Sequence, residues 1–399
     1  MRILYVAKAH DYGHASRGPS YDQQNFADAL NHLGHQLIPF DYPTLAQQLP
    51  PRKLNRQLVE LAEAEQPDLL FGVVRGGLLK PSSIKAVSAL GVPTVNWFCD
   101  DHWQFDTETR RWAPAFDFVV TTARSALPRY ARAGWGHVVL SQWAANPRLY
   151  PPPTPRSPRS PRSETVGPSA DNHDYDHDIT FVGQAYGQRP AFIQALRDAG
   201  LNVATFGKGW DHGPIDHDHM VRVFQRSRIN LNFADASHPG HAPADRLRLH
   251  PVTRKLTQNL PGGWRLDRAL LSHATRQRAR LPIPRQIKGR VFEVPAAGGF
   301  LLTQPAEDLA DYLTPGKELS LFDTPEQLVA KCRFYLEHSD QRQAIAAAGH
   351  RRVLAEHTWA HRFNALFTKL SLPTCTLTSA LTTPRNTPVA DRGPAPQPT

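Results

Sequence analysis

The chain of 399 residues is poor in cysteine: Cys99, Cys332 and Cys375 stand far apart, with no spacing of the metal-binding or paired type. That excludes a disulfide framework and a cysteine zinc site, and leads us to expect reduced thiols in a cytoplasm. No apolar run approaches the ~18 residues needed to span a bilayer. The first eight residues, ending in Lys8, have too short an apolar stretch for a signal peptide and read as a first strand. Repeats of fixed short period are absent as well. Acidic side chains are in the minority, with 36 Asp and Glu against 46 Lys and Arg and a formal net charge of +10. Such an excess attracts phosphates, nucleic acid or anionic membrane surfaces and says nothing about fold.

What is present is an alternation of apolar runs and amphipathic stretches. Residues 3–7, 37–40, 69–71, 94–98, 118–120 and 138–140 read as strands, with helices from about Tyr21, around Leu58 and after Pro81 between them. A second series begins at 179–183 and continues with strands at 201–206, 229–233 and 300–302. A helix from Pro190 to Gly200 lies in it, and Thr324, Pro325 and Gln327 form a helix start of cap, first-position proline and capping-box partner. Helical pattern then runs from about Gln341 to Leu370. Alternating strands and helices imply parallel sheets with ligands at the carboxyl ends of the strands.

The fold expected is α/β, with two Rossmann-like domains facing across a cleft. Residues 1–150 form the first domain and 151–177 a Pro/Ser/Arg-rich linker. Residues 178–356 form the second domain, with a basic insertion at 234–281. A last helix at 357–371 is expected to cross back to the first domain, and 372–399 reads as a disordered tail. The linker's arginines read as solvated, so nucleic acid is not an expected partner.

The segment from Arg285 to Thr303 carries the most chemistry. A helix opening near Gly289 turns its amides and positive dipole end toward any diphosphate, with Lys288 and Arg290 beside it. Glu293, one turn on, suits ribose hydroxyls; the plainer reading is a surface helix with solvated charges. Asp100, Asp101 and His102 follow a strand and are expected in the cleft, where a carboxylate or imidazole can orient or deprotonate a hydroxyl. A helix cap is the competing reading for them. His10, Asp11, Tyr12, Gly13 and His14 follow the first strand and are candidates to line the same side. The Asp/His clusters at 171–178 and 212–219 lack a metal-site spacing, so no metal is expected. In the insertion, Trp264, Leu266, Leu270 and Leu271 oppose Arg265, Arg268, Arg276 and Arg278. Such a helix suits an anionic membrane surface or acceptor, although packing on its own domain is the preferred reading.

The run Lys288-Gly289-Arg290-Val291-Phe292-Glu293, continued by Ala296, Gly298 and Gly299, resembles the donor-site segment of GT-B glycosyltransferases of the spore-maturation-protein-like (CgeB-like) group, relatives of retaining family-four-type enzymes. The resemblance extends to 178–189, to Gly207-Lys208-Gly209-Trp210, to 315–318, 342–349 and 357–362, and to 97–101 and 117–122 in the first half. It implies a hexosyltransferase-type enzyme without a cofactor, using a nucleotide-diphosphate sugar and an unidentified acceptor, with retention. Glu293 would hold the ribose, and Arg189 with Lys288 or Arg290 the diphosphate, with Gly183 in the donor loop. The first Glu of the family's Glu-x7-Glu motif is replaced by Arg285. A sugar-nucleotide epimerase and a non-catalytic nucleotide- or polyanion-binding module are the alternatives. A cytoplasmic enzyme, peripheral to the inner membrane face if the insertion binds lipid, is the localisation this implies.

Overall fold

The computed structural model describes residues 1–151, 175–235 and 285–374. Most of the linker, the insertion and the tail lie outside the described residues, as do the insertion's arginines and the first Asp/His cluster up to residue 174.

Two parallel sheets form the frame. The first holds β1 (Arg2–Val6), β2 (Gln36–Phe40), β3 (Leu69–Gly72), β4 (Thr94–Phe98), β5 (Phe118–Thr121) and β6 (Val138–Leu140), in the order β2-β1-β3-β4-β5-β6. The second holds β7 (His177–Val182), β8 (Val203–Phe206), β9 (Ser227–Asn232), β10 (Leu301–Thr303) and β11 (Ser320–Leu321), in the order β11-β10-β9-β7-β8. β3 and β4 are buried along their whole length, as a parallel strand covered on both faces must be. Every strand read from the sequence is found. β11 was not read, because a two-residue strand carries no periodicity.

Helices cover both faces of each sheet. Leu54, Leu58 and Ala62 of helix Pro51–Glu65 pack with Leu4, Leu70 and Ile84 on one face of the first sheet. The opposite face receives Trp359, Phe363, Leu366 and Phe367 from helix Trp359–Lys369, which close on Ile3, Phe26, Phe71 and Trp97. The chain's last helix therefore completes the core of the first unit, and burying four large apolar side chains there contributes on the order of 1.5–3 kcal/mol each.

The helical pattern from Gln341 to Leu370 is two helices, Ser339–Glu356 and Trp359–Lys369, the second lying within the span 357–371 read as a separate last helix. The break between them falls at the crossing between units. Thr358 bridges to Ala145 and caps the second helix through a reciprocal pair with His361. Arg362 fixes the crossing, donating from Nε to the carbonyl of Gln142 at 3.2 Å while lying over the Phe292 and Tyr312 rings.

Candidate active site

In each sheet the strand order reverses once, between β1 and β3 and between β7 and β9. Loops diverge at such a point and leave a crevice at the carboxyl ends of the strands. In the first unit the crevice is edged by Lys8 after β1, Arg75 after β3 and Asp100 after β4. In the second it is edged by Gly183 after β7 and the 233–235 segment after β9.

The second crevice is built by close backbone packing. Gly207 has φ 123°, and a Cβ there would overlap the Gly183 carbonyl, so the loops after β7 and β8 touch at their backbones. Trp210 Nε1 donates to the same carbonyl at 2.9 Å. Arg189 opens helix Arg189–Asp198, but its guanidinium turns back into this loop. It donates to the Gln184 carbonyl at 3.0 Å and to the Tyr186 hydroxyl at 2.6 Å, and stacks over the Tyr186 ring. Burial lowers its pKa. Arg189 thus helps to hold the loop after β7 in shape.

Lys288 is different. Among the described residues no group lies within hydrogen-bond or ion-pair distance of its ammonium. Burial pulls its pKa down to about 8, with Asp100 opposing the shift and Arg189 adding to it. Lys288 therefore stands between the two units, facing the first. Gln286 beside it reaches Asp100 at 3.5 Å. Arg290 and Glu293 are paired with each other on helix Arg290–Ala296. Glu293 is 1% exposed, and the Tyr21 hydroxyl of the first unit lies close to it against Gly289. In place of the missing first Glu of the motif, Arg285 pairs with Asp323.

On the first unit's side, the three residues after β4 separate. Asp100 has its carboxylate toward Arg75 at 3.8 Å and toward Gln286. His102 faces Glu307 of the second unit at 3.8 Å, and burial pulls its pKa down to about 4. Asp101 corrects the expectation that all three face the cleft. It turns inward and accepts from the hydroxyls of Thr109, Thr121 (2.6 Å) and Tyr130 (2.8 Å), with its pKa raised by burial. It ties the helix start to β5 and helix Leu127–Arg132. Beside Asp100 a small cleft is lined by Arg75, Trp97, Cys99, Gln104 and Glu108. Of the loop after β1, His10 lies 3.9 Å from Asp41 and is not drawn to this cleft.

Sequence reasoning missed Arg75, Gln286, Glu307 and Tyr21. Arg75 and Glu307 follow shortly on strand ends, the same signal that singled out Asp100, and were within its reach. Tyr21 carried no such mark. The second Asp/His cluster has structural tasks. Asp216 caps helix His217–Gln225, His212 Nδ1 bonds the Thr205 carbonyl and His217 Nε2 the Leu149 carbonyl. Among the described residues no group of three or more His, Cys, Asp or Glu is arranged to hold a metal ion, and no helix is long and apolar enough to cross a membrane.

With this geometry in place, comparison with known proteins is informative. The sequence family described as "Glycosyl transferase-like" matches residues 188–248 and 265–368. No curated protein matches the sequence. Among solved structures, HepE of Anabaena in complex with UDP-glucose superposes with a TM-score of 0.55 at 10% identity, covering 93% of this chain and 99% of that one. Sucrose-phosphate synthase of Thermosynechococcus elongatus gives 0.52 at 13% identity, with coverage of 93% and 99%. A glycosyltransferase of Rickettsia africae gives 0.51 at 9% identity, with coverage of 92% and 97%. The fold is that of GT-B glycosyltransferases. The family match adds a likeness of sequence across part of the second unit.

Proposed function

We propose that the chain transfers a sugar from a nucleotide-diphosphate sugar, bound by the second unit, to an acceptor hydroxyl held by the first. The observation that carries this reading is Lys288, a buried cation with no partner among the described residues, whose charge is felt by Asp100 of the first unit and Arg189 of the second. A departing diphosphate gathers negative charge as the glycosidic bond breaks, and a prepositioned ammonium stabilises that charge most where water is scarce. The turn at Gly289 leads into helix Arg290–Ala296, whose first amides are further donors we assign to the diphosphate. Asp100 and His102 are the groups we assign to the acceptor hydroxyl, Asp100 as the orienting carboxylate. Asp101 acts through the fold.

Glu293 is assigned to the ribose by its place in the motif. It is paired with Arg290 here, so ribose binding would exchange that bond for bonds to the sugar hydroxyls, freeing Arg290 for the diphosphate. Retention of configuration is part of the proposal through the same resemblance. HepE binds UDP-glucose, which makes uridine diphosphate sugars the first donors to test. The basic insertion is assigned to an anionic acceptor or membrane surface; its deletion should abolish transfer and spare UDP binding.

The test is a thermal-shift screen of UDP, GDP, ADP and dTDP and their sugars on wild type and Lys288→Ala. Ligand at a hundred times its dissociation constant adds about 2.7 kcal/mol of stability. A shift with one nucleotide that disappears in the variant supports the reading, and no shift with any of them refutes it.

A further inference from the structure

A neutral imidazole carries one ring proton, and the group facing the ring decides which nitrogen holds it. The His102 side chain is only 4% exposed. Its Nε2 faces the Glu307 carboxylate at 3.8 Å, and its Nδ1 is buried with no hydrogen-bond partner among the described residues. The other charged groups that act on the ring are Asp100 from its own unit and Lys288 and Asp308 from the second.

Glu307 lies in the loop after β10, and three contacts dock that loop onto the first unit. Ser125 Oγ donates to Glu307 at 2.8 Å, Arg124 Nε donates to Asp308 at 2.7 Å, and Arg124 Nη2 donates to Asp311 at 2.8 Å. Asp308 has φ 59°, a left-handed conformation uncommon outside glycine, and such a residue persists where its surroundings hold it. A loop held in an unfavourable shape, with the carboxylates of Glu307 and Asp308 gripped by the opposite unit, is built for one position.

We propose that Glu307 is a positioning residue for His102: the Arg124 and Ser125 contacts seat its carboxylate on the Nε2 side of the ring, keeping the ring proton on the edge that faces the second unit and leaving the buried Nδ1 bare. The value to catalysis rests on the transferase reading above; the tautomer does not. His102 and Glu307 belong to different units, so the arrangement depends on the contact between them.

Nitrogen-15-labelled histidine in the full chain reports the tautomer through long-range proton–nitrogen correlations, with His102 assigned by the signals lost in His102→Gln. At neutral pH the wild type should show the Nε2–H form. Glu307→Gln, which keeps an acceptor oxygen, should retain it, while Glu307→Ala should give a mixture. Arg124→Ala and Ser125→Ala, exposed and away from the ring, should move toward that mixture and carry the test if Glu307→Ala fails to fold. In hydrolysis of UDP-glucose, Glu307→Ala should lower kcat by about tenfold or more with KM within about twofold. A wild-type ring protonated at Nδ1, or a tautomer unmoved by loss of Glu307 or of its docking contacts, overturns the proposal. A normal UDP thermal shift beside an unmoved tautomer sinks only the role of Glu307. Absence of any UDP shift beside a responsive tautomer sinks only the choice of donor.

Discussion

Arg290 and Glu293 pair with each other one helical turn apart, beneath Gly289, where the Glu293 carboxylate fills the space a Cβ would need. Glu293 is 1% exposed, so the pair is a buried ion pair on at least one side. Breaking such a pair by removing one partner costs about 3–5 kcal/mol, because the remaining charge is left uncompensated. Glu293→Ala should therefore lower the urea midpoint by a corresponding amount, and the double variant Glu293→Ala with Arg290→Met should recover part of it. A single variant as stable as wild type would mean that Arg290 finds water when its partner is gone.

Lys288 predicts a pH dependence. Its pKa is lowered to about 8, so its charge is present below that value and lost above it. UDP affinity should be flat below about pH 8 and weaken as pH rises further, with the bend displaced upward in the bound state because the diphosphate favours the charged form. Lys288→Ala should weaken UDP binding by about tenfold or more and remove the bend. Since the ammonium has no partner to lose among the described residues, the variant should unfold no earlier than wild type. Calorimetric titration across the pH range decides it, and a bend that survives in the variant assigns the effect to another group.

Asp101 predicts a loss of stability more than a loss of chemistry. Its carboxylate gathers three hydroxyls from separate elements. Asp101→Ala should cost on the order of 3 kcal/mol, since the bonds to a charged acceptor disappear together. UDP binding below the lowered melting point should remain within about twofold of wild type, because UDP is assigned to the other unit. A folded variant of unchanged stability and no turnover would return Asp101 to the reacting groups.

Three buried histidines, His35, His102 and His357, are each pulled to about 4 by burial. The unfolded chain begins to bind protons on them near pH 6.5, whereas the folded chain does so only near their lowered values. Stability attributable to their neutral forms is thus complete above about pH 6.5 and declines as pH falls toward 4. The thermal midpoint should drop across that window, with a smaller drop in His357→Gln. A midpoint constant from about pH 7 to 5 would mean that these rings are hydrated in solution.

Much of the architecture was legible in the sequence, because the signals are local. Thr324 caps Pro325–Glu337 by accepting from the Gln327 amide at 3.3 Å, as the spacing of those residues predicted. The buried runs at 3–7, 69–71 and 94–98 became strands of a parallel sheet, since only elements covered on both faces can be apolar throughout. The segment 285–303 came out as a turn, a short helix and a strand, with Lys288 ahead of the helix.

The division of labour within the site was not legible. Asp100 and Asp101 are adjacent and chemically identical, and the sequence treats them alike. One faces the cleft and the other the interior, because Thr109, Thr121 and Tyr130 converge behind the second. Arg189 read as part of a diphosphate clamp, and nothing in the sequence told of its bonds to the loop carbonyls of Gln184 and Phe233. The meeting of His102 with Glu307 requires two units to close on each other. By itself the sequence determined which segments are strands and where helices begin, properties set by residues a few positions apart. Only the tertiary structure decided which charges are spent on the fold and which stay available to a substrate, because a buried charge takes whatever partner the packing brings to it, and that partner comes from distant parts of the chain.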